Sequence, residues 1–195
     1  MSSALCVIGT AFVATVARAQ QVDSTPRLGL GASSAITLHA GVGQIKHASL
    51  GTEVGASLDL GWIGTRTVRL ALGLDYLAMA IDRPDSLGVR ERGNGYVFTG
   101  FVDVNWIPSL SHRLSPYGGA GLGVDAVGTE ISNEQIGSIY NTNVFDIHAY
   151  AGTLFRVTPR GQVSFEVRAT GARVVRRIGV RLGYAWFYNQ LPRNH

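Results

Sequence analysis

The chain has 195 residues and a formal net charge of +4; 46% of it is hydrophobic, 15% is charged, and 25 residues are glycine. That length suits one domain, and its arginines are scattered singly instead of clustered, so no nucleic-acid partner is expected. The only cysteine, Cys6, lies close to the N-terminus, which excludes disulfide, thiolate-metal and cysteine-nucleophile chemistry from the rest of the chain.

The first element is a leader. An apolar run from Leu5 to Val16 precedes Ala17-Arg18-Ala19 and Gln20, the small-x-small pattern of a signal-peptidase site. Residues 1–19 are therefore expected to be removed on export, leaving 20–195 as one domain. The run is too short to span a bilayer, and no later run reaches the length of a membrane helix. The large apolar fraction must be distributed in another way.

It is distributed by parity. A strand points successive side chains to opposite faces, so a half-buried strand shows apolar residues at every second position. Eight segments do this in chain order. The even positions carry the apolar face in Arg27 to Gly43 (Leu28, Leu30, Ile36, Leu38, Val42) and in Val54 to Trp62 (Leu58, Leu60). They do so again in Val68 to Ala78 (Leu70, Leu72, Leu74, Tyr76), Tyr96 to Trp106 (Phe98, Val102, Val104) and Ala120 to Ala126 (Leu122, Val124). The parity is odd in Phe145 to Phe155 (Ile147, Ala149) and Val163 to Ala169 (Phe165, Val167), then even in Ile178 to Trp186 (Val180, Leu182, Tyr184). Segments of about ten alternating residues are what a membrane-spanning strand needs. The longest connectors, Asp82 to Gly95 and Gly128 to Asn143, fall on one side and predict outer loops if the N-terminus is periplasmic.

Two features separate a membrane barrel from a soluble one of the same period. Aromatics on the apolar face gather at the strand ends: Trp62, Trp106, Phe155 and Trp186 at the lower end, and Tyr76, Tyr96 and Phe145 near the upper. These read as the two girdles at the membrane interfaces. The opposite face is rich in glycine, as the narrow interior of an eight-stranded barrel requires. The predicted fold is thus an all-β, eight-stranded antiparallel up-and-down transmembrane barrel with a polar lumen and an apolar lipid-facing surface. Registering the last hairpin around Gly171 to Arg176 sets Glu166 across from Arg181 as a lumen ion pair. At the outer edge Arg173, Arg176 and Arg177 are placed to meet lipopolysaccharide phosphates.

The segment Pro116-Tyr117-Gly118-Gly119-Ala120-Gly121-Leu122-Gly123-Val124 resembles the fifth strand of the OmpA/OmpX-like outer-membrane β-barrel superfamily. Tyr184-Ala185-Trp186-Phe187 resembles the terminal aromatic signal read by the barrel assembly machinery, although here the chain continues to His195. The resemblance implies a monomeric eight-stranded barrel in the cell outer membrane that is delivered by periplasmic chaperones. It also implies a role in envelope integrity, adhesion or surface interaction, with outer-membrane lipids and lipopolysaccharide as neighbours.

Three kinds of chemistry compete with that reading. Gly119-Ala120-Gly121-Leu122-Gly123 lacks the following helix and Gly-Lys-Ser/Thr of a phosphate loop. Asp75, Asp103, Asp125 and Asp146 share the polar face, but no connector has calcium-loop spacing. The enzyme alternative rests on Asp146, His148 and Tyr150 of the sixth segment, with Asp125 expected beside Asp146 and Thr170 beside His148. An Asp-His pair with a hydroxyl could act as a general base on a lipid, while hydroxyls and imidazoles also line inert barrels. The expectation is a non-enzymatic barrel with no cofactor or metal. A lipid-modifying enzyme and a small porin are the alternatives.

Overall fold

The structure, a computed structural model, describes residues 30–45, 50–63, 67–84, 90–108, 110, 112–132, 137–171 and 176–189. The leader, residues 1–19, lies outside the described residues. Eight strands follow one another: β1 (Leu30–Ile45), β2 (Leu50–Trp62), β3 (Val68–Pro84), β4 (Arg90–Trp106), β5 (Leu114–Ser132), β6 (Gly137–Thr158), β7 (Gly161–Gly171) and β8 (Arg176–Phe187). Each pairs antiparallel with the next, and β8 closes on β1 from Ala35↔Phe187 to Ile45↔Arg177. Closure leaves no open edge within the ring, which is the condition for a sheet to stand in hydrocarbon where water cannot satisfy N–H and C=O groups.

Alternation then sorts the two faces. Leu74, Val102, Leu122, Ile147 and Leu182 point outward and are exposed, while Asp75, Asp103, Asp146, His148 and Arg181 point inward and are buried. An apolar band around the whole outer surface would drive association in water; lipid is the solvent that matches it. Tyr76, Tyr96 and Phe145 lie on this outer face near the upper end, and Trp106, Phe155 and Trp186 lie on it at the lower end.

Trp62 departs from the expected girdle. It is only 7% exposed and belongs to the cluster that fills the lower lumen with Ile107, Leu110, Tyr117, Leu154 and Phe187. The cause is a bulge at the end of β2. The β2–β3 register shifts between Asp59 and Gly61, Gly61 adopts φ 104°, and its N–H donates to Asp59 Oδ1 at 2.9 Å. A residue in that left-handed region is favourable only as glycine, and the extra residue turns the next side chain to the other face.

This separates the three tryptophans by experiment. With Trp106 and Trp186 replaced by Phe, Trp62 alone should show little quenching by brominated lipids. Trp106 or Trp186 as sole reporters, 52% and 63% exposed, should be quenched strongly. Strong quenching of Trp62 would place its ring in lipid and remove the bulge.

The strands also run longer than alternation indicates. Most of the two segments expected as outer loops is ladder, reaching Pro84↔Arg90 in β3–β4 and Ser132↔Gly137 in β5–β6. Above the membrane a strand has no lipid to face, so its outward positions turn polar and the period-2 signal fades.

Candidate functional site: the ionic lumen

The inward positions of all eight strands converge on a buried network of charged groups. Arg181 on β8 is its centre. Its Nη2 donates to Asp75 Oδ2 at 2.5 Å and forms an ion pair with Glu53, and its Nη1 lies 3.7 Å from Glu166 Oε1. The β7–β8 ladder sets Glu166 directly opposite Arg181, as the hairpin register requires. Glu166 is held more closely by two other groups, Arg168 Nε at 2.9 Å and the Tyr117 hydroxyl at 2.9 Å.

Arg168 carries the network across the barrel. Its Nη2 donates to Asp103 Oδ2 at 2.8 Å, and its guanidinium lies over the rings of Tyr150 (4.4 Å) and Phe101 (5.0 Å). Asp103 in turn meets His148 Nε2 at 2.6 Å, and His148 Nδ1 meets Asp146 Oδ2 at 2.9 Å. A ring with a carboxylate on each nitrogen donates at both positions only when doubly protonated. The lower end repeats the pattern: Arg69 pairs with Asp59 at 2.6 Å and lies 4.4 Å over the Trp62 ring. At the upper end the fully buried Leu77 and Val97, with Ile81, lie above the charged layers.

Burying so many charges is costly unless each is paired, and pairing across strands recovers the cost only with close geometry. Glycine opposite the network supplies that closeness. A side chain at Gly121 would collide with Asp103 Oδ1 and His148 Nε2, and one at Gly55 with Asp75 Oδ1 and His39 Nε2. A cavity of about 90 Å³ lies in the lower half, bordered by Thr37, Asp59, Asn105, Gln162 and Ser164.

The candidates for chemistry sort themselves on this geometry. Asp146, His148 and Tyr150 do line one face of β6, but both His148 nitrogens are committed to carboxylates and the Tyr150 hydroxyl donates to Asn105 Oδ1 at 2.6 Å. Thr170 stands opposite His148, yet its hydroxyl makes no hydrogen bond among the described residues. Asp125 is not directly beside Asp146: the register pairs Gly123 with Asp146 and Asp125 with Val144, and Asp125 accepts from the Thr99 hydroxyl at 2.6 Å. The four aspartates weighed as a metal set do not converge: Asp75 goes to His39 and Arg181, Asp125 to Thr99, and Asp103 and Asp146 to opposite nitrogens of His148. A different set, His39, Glu53 and Asp75, brings its donor atoms within 4.8 Å of one another, and there the Arg181 guanidinium bridges the two carboxylates. Sequence spacing gave no sign of this set, since its members sit on three different strands.

The outer-edge arginines also divide. Arg177 is 5% exposed and faces Glu53 inside the wall at 3.8 Å, so it does not reach a lipopolysaccharide phosphate; parity carries it inward, two residues before Gly179. Arg176 is exposed, and Arg173 lies outside the described residues.

A closed antiparallel ring of eight strands with lipid-facing apolar residues outside and a paired ionic interior is a transmembrane β-barrel. Three solved structures share this fold. Neisserial surface protein A superimposes with a TM-score of 0.60 at 13% identity, covering 80% of this chain and 97% of that one. Ail, the attachment invasion locus protein of Yersinia pestis, gives 0.54 at 12% identity, covering 80% and 98%. The N-terminal β-barrel domain of Pseudomonas aeruginosa OprF gives 0.50 at 17% identity, covering 79% and 97%. No family model matches the chain, and no curated protein matches it in sequence.

Proposed function

We propose that this is a non-enzymatic outer-membrane barrel that binds a partner at the cell surface through the part of its sheet standing above the closed ring. The observation that carries this reading is the unequal height of the wall. The β2–β3 ladder ends at Thr52↔Ala78 and the β6–β7 ladder begins at His148↔Thr170, whereas β3 to β6 continue together to Pro84, Arg90, Ser132 and Gly137. The Tyr76–Tyr96 stack, 6.2 Å between centroids, marks where the outer face leaves lipid. Beyond it Asp82, Arg92, Asn94 and Glu130 are exposed on the outward side. A four-stranded platform that carries charged and amide side chains on its outward face above the lipid is suited to holding a protein or glycan ligand. Ail, a fold neighbour named for attachment and invasion, was also solved in complex with the heparin analogue sucrose octasulfate, which supports a surface-binding role by likeness of fold. Arg173 and the exposed Arg176 remain the outer-edge candidates for a lipopolysaccharide phosphate. An enzymatic reading is disfavoured because His148 has no free nitrogen to receive a proton from a nucleophile.

The test is to trim the platform. Replacing residues 81–93 and 131–138 each with an Asn-Gly turn should leave a heat-modifiable barrel in the outer membrane. Adherence of cells expressing it to mammalian cells or matrix should fall to the level of cells lacking the protein. Undiminished adherence by the trimmed barrel would move the binding role elsewhere.

A further inference from the structure

The foot of the barrel differs from its top in charge. The lower turns and strand ends between Ile63 and Gly161 carry Arg66, Arg113, Arg156 and Arg160 with no carboxylate among them, while the upper connectors mix both signs. Two of these cations are exposed and held on fixed backbone. The Arg113 carbonyl accepts from Arg156 N at 2.8 Å, and the Arg160 carbonyl accepts from Phe187 N at 2.8 Å. Arg156 turns under the barrel instead, where its Nη2 donates to the Leu110 carbonyl at 3.2 Å. Neither Arg113 nor Arg160 forms an ion pair among the described residues.

The Arg113 guanidinium lies 5.3 Å over the ring of Phe155, and Phe155 with Leu114 and Val157 belongs to the lipid-facing band. A cation stacked on a ring of the lower girdle sits at headgroup depth, beside exposed apolar wall for an acyl chain. Arg113 lies across the ladder from Arg156 on β6 and Arg160 across from Phe187 on β8, so their backbones stand about two strand spacings apart, roughly 10 Å, and a phosphate between them is met by both extended side chains.

We infer that the foot of β5 to β7 is a binding site for an anionic phospholipid, with Arg113 and Arg160 holding the phosphate and Leu114, Phe155 and Val157 receiving the chain. With the orientation adopted in the proposed function, the ligand belongs to the inner leaflet of the outer membrane. Arg donates to phosphate through two N–H groups at once, which favours a headgroup with net negative charge over a zwitterionic one whose own cation competes for its phosphodiester. The inference rests on the membrane orientation but not on the outer platform.

The mature full-length chain with Trp186→Phe, refolded into phosphatidylcholine vesicles containing a minor share of phosphatidylglycerol, provides the test through Trp106, which neighbours this foot on β4. Quenching by brominated phosphatidylglycerol should exceed that by brominated phosphatidylcholine at equal mole fraction. The excess should correspond to an enrichment of about fivefold per arginine, the factor given by roughly 1 kcal/mol for one basic side chain at an anionic surface. Arg113→Gln with Arg160→Gln should bring the two lipids close to parity, Arg113→Lys with Arg160→Lys should keep most of the preference, and added salt should erode it in the unsubstituted pair. Equal quenching by both lipids before substitution, or a preference unchanged by the Gln pair, would overturn the site while leaving the surface-binding role untouched. Pro159→Cys should resist a membrane-impermeant maleimide in intact cells and react once the envelope is permeabilised. Labelling in intact cells would overturn the inner-leaflet assignment.

Discussion

Arg181→Ala is expected to destabilise the refolded barrel by about 3–5 kcal/mol, the cost of removing one partner from a buried charge network. Its guanidinium bridges Glu53 and Asp75, both almost fully buried, and faces Glu166. Without it two carboxylates lose their closest cation, and only His39 at 2.6 Å from Asp75 and Arg177 at 3.8 Å from Glu53 remain to compensate. Glu166→Ala should cost less, because Arg168 keeps Asp103 as a partner at 2.8 Å. In a double-mutant cycle read by urea titration in lipid vesicles, Arg181 should couple more strongly to Asp75 than to Glu166. Both couplings should fall within the roughly 0.5–3 kcal/mol found for groups in contact. Strictly additive losses for Arg181 and Asp75 would mean that the bridge is absent in the folded protein.

Gly121→Val is expected to prevent or severely weaken folding, with a loss of about 3 kcal/mol or more where a folded form is recovered. The added carbon would occupy the space of the Asp103 and His148 side chains and come within 2.6 Å of the Val102 carbonyl on the neighbouring strand. Overpacking would coincide with breaking the hydrogen bond that joins Asp103 to His148, and both groups are buried. Gly100→Ala is the control on the lipid face, because a carbon there meets nothing nearer than Leu74 Cδ2 at 3.7 Å. It should change stability by less than about 0.5 kcal/mol. The gel-shift assay for folded and unfolded barrel reads both substitutions, and a well-folded Gly121→Val protein would show that the glycine does not set the closeness of the network.

Much of the wall is legible without coordinates because lipid imposes a local rule. Each spanning residue either faces hydrocarbon or does not, so Leu70, Leu72 and Leu74, or Phe165 and Val167, announce their face by position alone. The same parity places Asp75, Asp103, Asp146 and Arg181 inside, and turn position sets Glu166 opposite Arg181. Trp62 escaped the rule because one glycine, Gly61, absorbs a residue in a bulge; Asp59 two positions before it, whose carboxylate takes the Gly61 N–H, was the available sign. The platform above Tyr76 and Tyr96 escaped it because that stretch has no lipid to face and so no period to read.

What parity cannot supply is partnership within the lumen. Inward residues from different strands meet according to barrel diameter, strand stagger and side-chain reach, none of which is a local property of the chain. Arg181 on β8 therefore joins Asp75 on β3 and Glu53 on β2 ahead of Glu166 beside it, and His148 spans from Asp146 on its own strand to Asp103 on β4. The sequence by itself determined a lipid-facing barrel with a charged interior, because alternation is written residue by residue. Only the closed tertiary structure decided which charges hold one another, because buried ion pairs depend on distances that exist only once the ring is complete.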